Sequence, residues 1–76
     1  MAQADIGLIG LGVMGSNLAL NIAENGHSVA VYNRTSERTE EFLKAAGELR
    51  SRLTPCGSLE ELAASIRPPR PIIIMI

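Results

Sequence analysis

The stretch Ile6-Gly7-Leu8-Ile9-Gly10-Leu11-Gly12-Val13-Met14-Gly15 decides the fold. Gly10, Gly12 and Gly15 stand in the spacing G-x-G-x-x-G, directly behind a short apolar run and directly ahead of a helical pattern. A glycine triplet alone says little, because glycine is common. Between a strand and a helix it becomes the turn that receives a dinucleotide pyrophosphate. Each glycine then has a task. Gly10 permits the tight turn out of the strand. Gly12 leaves the backbone open to the pyrophosphate. Gly15 lets the helix pack closely on the strand. The pyrophosphate would sit on free N–H groups at the positive end of the helix dipole.

Outward from this turn the chain alternates strand and helix. Residues 5–9 read as a buried strand. Residues 13–25 read as a helix, with Leu18 and Ile22 four apart to face a sheet beside small Ala19 and Ala23, and Gly26 as its stop. Residues 28–32 form a second strand, followed by a loop at Asn33, Arg34 and Thr35. A second helix runs from Ser36 to about Ala46, where Phe42, Leu43 and Ala46 supply an apolar stripe and Gly47 a stop. Residues 53–56 are a short strand that Pro55 makes irregular or an edge. Ser58 opens a third helix, with Glu61 at capping-box spacing and Leu59, Leu62, Ala63 and Ile66 as its stripe. Pro68, Pro69 and Pro71 end it. The run Ile72-Ile73-Ile74-Met75-Ile76 is apolar without alternation, as in a central parallel strand buried on both faces. The order β-α-β-α-β-α-β predicts an α/β, Rossmann-like parallel sheet. A final strand without cover is an aggregation hazard. Residues 1–76 are therefore expected to be the N-terminal part, or the ordered part, of a longer protein with a larger doubly wound domain.

Composition narrows the function. A 76-residue chain holds one small domain, and 46% hydrophobic residues suit a globular one. The net charge of −1 gives no electrostatic case for nucleic acid or an anionic membrane. Cys56 is the one cysteine, which excludes an intrachain disulfide, fits a reducing cytosol and reads as a packing residue. His27 is the one histidine, so no metal-ligand set is expected. No basic segment opens the chain, and no apolar run is long enough to span a bilayer.

The loop after the second strand selects the dinucleotide. NAD-binding versions place an acidic residue there, about 20 residues beyond the glycines, where it holds the ribose hydroxyls. Here neutral Asn33 occupies the place, followed by Arg34 and Thr35. Asn33 can hydrogen-bond the ribose. Arg34 offers a permanently charged planar fork to a 2′-phosphate and a face to the adenine. Thr35 adds a hydroxyl donor. NADP is the expected cofactor.

Taken together, Gly10-Leu11-Gly12-Val13-Met14-Gly15, Asn17-Leu18-Ala19-Leu20-Asn21 and Asn33-Arg34-Thr35 resemble the N-terminus of the decarboxylating 6-phosphogluconate dehydrogenases. Pro69-Arg70 ahead of the apolar strand is also similar, so the likeness spans essentially the whole chain. The first motif alone is shared with 3-hydroxyisobutyrate-type dehydrogenases; the other two tilt the choice. Many members of the family have Ala where this chain has Gly12. The resemblance implies NADP-dependent oxidation of 6-phosphogluconate at C3. Decarboxylation then gives ribulose 5-phosphate, NADPH and CO2, a step of the pentose phosphate pathway and of gluconate utilisation. It also implies a cytoplasmic homodimer at full length. In that family Val13 and Met14 lie near the nicotinamide end of the cofactor, and the end of the fourth strand, here Ile76, touches the cofactor. The cofactor set is thus Gly10, Leu11, Gly12, Val13, Met14, Gly15, Asn33, Arg34, Thr35 and Ile76. The family's catalytic Lys and Glu lie beyond this chain, and Lys44 is a solvated charge. The competing readings are a 3-hydroxy acid dehydrogenase and a non-catalytic nucleotide-binding module.

Overall fold

The computed structural model describes residues 3–69 and 71–75. Its elements are β1 (Ile6–Ile9), α1 (Val13–Glu24), β2 (Val29–Tyr32), α2 (Ser36–Ala46), a 3₁₀ segment (Gly47–Arg52), β3 (Leu53–Pro55), α3 (Leu59–Ala64) and β4 (Ile72–Ile74). The four strands form one sheet in the order β3-β2-β1-β4, and every pairing is parallel. The expected α/β, Rossmann-like architecture is therefore present. The chain lays β2 and β3 outward on one side of β1, then crosses back to place β4 on its other side. That reversal opens a crevice at the C-terminal ends of β1 and β4, where ligands of open α/β sheets bind.

Two packed layers cover the sheet, and the alternation of side chains assigns residues to each. Leu8, Val29, Val31 and Leu53 pack with Ala19 and Ala23 of α1 and Phe42 and Ala46 of α2. On the opposite face Ala30 packs with Ala4, Cys56, Leu62 and Ile66, with Ile9 and Tyr32 alongside. Leu62 and Ile66 are almost inaccessible, and burying each contributes about 1.5–3 kcal/mol.

Several expectations need correction. The buried line of α1 is Gly15, Ala19 and Ala23, with Leu18 and Ile22 only partly buried at its flanks. Small residues hold the centre because the helix lies too close to the sheet for larger ones. Helix α3 ends at Ala64, so Ile66 is buried from outside it, in a bridge to Ala4, and Leu59 is exposed. The 3₁₀ segment was not expected. It carries one apolar residue packed on the core, Leu49, too few to show a period. Strand β3 is an edge strand, as Pro55 indicated. Strand β4 is not central among the described strands. It is the outer strand beside β1, with Ile73 packed on the α1 side and Ile72 and Ile74 exposed at 39% and 60%. Registered with Gly7 and Ile9, those two residues face the α3 side, but the short α3 packs against β2. Arg70, in the family-like Pro69-Arg70 pair, and Ile76, in the expected cofactor set, lie outside the described residues.

Candidate nucleotide-binding site

The glycine turn is built from both ends. The Gly10 N–H donates to the Tyr32 carbonyl at 2.9 Å, continuing the β1–β2 pairing, and the Met75 N–H donates to the Ile9 carbonyl at 2.8 Å. At Gly10 the backbone then takes φ 99, a left-handed conformation that glycine adopts without penalty. Helix α1 starts three residues later. A Cβ on Gly15 would land on the Gly10 carbonyl oxygen, so glycine alone fits that close approach. At Gly12 the reverse holds: a Cβ there would meet nothing within 4 Å. This open space beside the backbone is the kind of cradle a pyrophosphate needs.

The start of α1 is electrically poised for an anion. No side chain caps it, and its first turn holds no acidic residue. The first N–H groups of a helix have no partner within it, and the dipole makes this end positive. Val13 and Met14 are exposed at 78% and 73%. The Ser16 hydroxyl donates to the Leu11 carbonyl at 3.0 Å and tightens the turn behind them.

The loop after β2 stands beside this turn. Asn33 accepts a hydrogen bond from the Leu11 N–H at 2.8 Å and donates one to the Thr35 carbonyl at 3.2 Å. The Arg34 guanidinium is exposed and makes no hydrogen bond or ion pair with any described residue. Thr35 is the N-cap of α2, yet its side chain makes no capping bond. Both side chains are therefore uncommitted. A cleft of 580 Å³ is lined by Ile9, Gly10, Tyr32, Asn33, Arg34, Leu59 and Ile74, the ends of three strands and the start of α3. A second, more polar cleft joins Gly12, Asn33 and Thr35 to Glu37, Arg38 and Glu41.

The structure thus brings the glycine turn and the 33–35 loop together; Ile76 lies outside the described residues. Seven residues of the two clefts lie outside the expected cofactor set: Ile9, Tyr32, Leu59, Ile74, Glu37, Arg38 and Glu41. Arg38 was legible in principle, since a cation in the first turn of a helix opposes the dipole and asks for a reason. Leu59 was read as core because its spacing matched Leu62. Cys56 is buried, its thiol pushed above the ordinary range chiefly by that burial, with the hydrogen bond it shares with Ser65 opposing and Glu61 adding to the rise. That suits a packing residue and not a nucleophile. No group of three or more possible metal ligands occurs among the described residues, and no described helix is long and apolar enough to cross a membrane.

Comparison with known proteins agrees with this geometry. The family profile described as the NAD-binding domain of 6-phosphogluconate dehydrogenase matches residues 5–76. The decarboxylating 6-phosphogluconate dehydrogenase of Chlamydia muridarum is 57% identical over 76 residues, which is 100% of this chain and 16% of that protein. The NADP(+)-dependent decarboxylating enzyme of Bacillus subtilis is 49% identical over the same span, again 16% of its length. The structure of Plasmodium falciparum 6-phosphogluconate dehydrogenase, studied in its apo form, with its cofactor NADP+ and with its substrate 6-phosphogluconate, superposes with a TM-score of 0.85 at 50% identity. The match covers 95% of this chain and 15% of that one. The chain spans about one sixth of the length of the relatives it matches.

Proposed function

The chain belongs to the family of NAD-binding domains of 6-phosphogluconate dehydrogenase, and on that premise we propose that it is the NADP-binding segment of a decarboxylating 6-phosphogluconate dehydrogenase. The observation that carries the choice of NADP is the free Arg34 guanidinium beside an uncapped helix start. The α1 N–H groups and the open backbone at Gly12 hold the pyrophosphate. Arg34 and the Thr35 hydroxyl hold the 2′-phosphate, and neutral Asn33 does not repel it. Val13 and Met14 flank the nicotinamide end. When bound, NADP supplies the acceptor for the hydride leaving C3 of 6-phosphogluconate. The resulting 3-keto acid loses CO2 to give ribulose 5-phosphate.

This segment binds and orients; it does not transfer protons. No carboxylate, Lys or His lines the cleft at the strand ends among the described residues. The substrate and proton-transfer groups then belong to a second, helical domain of a cytoplasmic homodimer, with residues 1–76 opening a larger doubly wound domain. The test is cofactor titration of the full-length protein and its Arg34→Ala variant. The wild type reduces NADP and releases CO2 with 6-phosphogluconate. The variant loses NADP affinity by on the order of 10- to 100-fold, the effect of one charge-assisted hydrogen bond, while NAD affinity is nearly unchanged. Equal loss for both cofactors overturns the assignment of Arg34.

A further inference from the structure

Asn33 was expected to contact the ribose, yet its amide is already engaged on both sides. The Leu11 N–H is a donor and the Thr35 carbonyl an acceptor. Only a group that accepts at one atom and donates at the other satisfies both, which fixes the amide orientation and excludes a carboxylate. The bond to Leu11 joins residues 22 apart in sequence, at the peptide that follows the left-handed Gly10. It therefore sets the direction in which the backbone enters α1. The bond to Thr35 folds the loop over Arg34, the residue between.

From this geometry we infer that Asn33 is a positioning residue, a latch that holds the phosphate-binding turn and the Arg34–Thr35 loop in one fixed relation. It rests on the dinucleotide reading above and adds a cause for cofactor choice. An Asp at this place would still accept from Leu11. Its second oxygen would face the Thr35 carbonyl at the distance where the amide now donates, and the two acceptors would repel. The loop that presents Arg34 would open. Neutral Asn thus favours NADP in two ways: it spares the 2′-phosphate a negative neighbour, and it keeps Arg34 and Thr35 in place to receive it.

The test compares Asn33→Ala and Asn33→Asp in the full-length protein by two measurements. One is hydrogen exchange at the Leu11 amide, resolved by mass spectrometry. The other is titration with NADP and with NAD. In Asn33→Ala the Leu11 amide exchanges about tenfold faster, and both cofactors weaken, NADP more than NAD, because the turn serves both and the loop only NADP. In Asn33→Asp the Leu11 amide stays protected, NADP weakens by about tenfold or more, and NAD by much less. Unchanged exchange at Leu11 in Asn33→Ala overturns the latch. So does loss of NADP alone in that variant, which would make Asn33 a direct 2′-phosphate ligand. Asn33→Asp is isosteric and keeps the test open if the alanine variant unfolds. A wild type that binds neither dinucleotide defeats the functional reading, while exchange at Leu11 still decides the latch.

Discussion

Gly12 and Gly15 are the same residue under opposite constraints. Gly15 has the Gly10 carbonyl against it, whereas Gly12 faces open space. Gly15→Ala is expected to destabilise the fold by about 1–3 kcal/mol or more, as overpacking does. Gly12→Ala is expected to cost less than about 1 kcal/mol, the price of a poorer N-cap. Chemical unfolding of both variants checks the contrast; equal losses would contradict it. Gly12→Val is expected to keep the fold and lose dinucleotide binding, because a branched side chain fills the phosphate position. Unchanged cofactor titration would show that Gly12 serves only the turn. The sequence was informative about these glycines because backbone conformation and close approach leave a mark in residue type. It was silent about the engagement of Asn33. A side chain bonded to a backbone group 22 residues away follows no period and leaves no local pattern.

At the level of elements, α3 shows how capping sustains a segment too short to hold itself. It has six residues, and isolated helices of that length do not persist in water. The Ser58 hydroxyl accepts from the Glu61 N–H at 3.0 Å, as the capping-box spacing predicted. The Glu61 carboxylate reaches one residue further back than the motif prescribes, accepting from the Gly57 N–H at 2.9 Å. Ser58→Ala is expected to cost about 1 kcal/mol. The loss should concentrate in faster exchange of the amides at 61–64. Unaltered exchange there would show that Leu62 packing alone holds the turn. Elements with a clear period or an unambiguous stop, such as α2 ending before Gly47, were legible in sequence to within a residue. The 3₁₀ segment was not, since beside Leu49 it is held by a charge: Arg52 donates from Nη1 to the Ala23 carbonyl at 2.7 Å, near the end of α1. The outer place of β4 among the described strands was not legible, because an unbroken apolar run specifies that two faces want cover, not that these residues provide it.

For the whole molecule, the outer edge of β4 and the exposed Ile72 and Ile74 make the 76-residue chain by itself prone to strand pairing between copies. It is expected to self-associate in light scattering, to bind NADP weakly and to show no turnover of 6-phosphogluconate. Ile74→Lys should shift it toward monomer; a wild-type chain already monomeric at high concentration would refute the edge argument. The opposite end of the sheet is closed differently. Asp5, ahead of β1, accepts from the Ser28 N–H at 3.0 Å, pairs with Arg67 and has the His27 Nδ1 3.8 Å away. The Ala4 N–H donates to the Ser65 carbonyl at 2.7 Å, and the Arg67 N–H donates to the Ala4 carbonyl at 3.0 Å. One carboxylate and a pair of backbone bonds thus anchor the approaches to β1, β2 and β4, far from every group that distinguishes one dinucleotide from another. A library randomised at positions 34–38 would search cofactor preference without disturbing that anchor, so altered preference can evolve or be selected there without compensating repair of the scaffold.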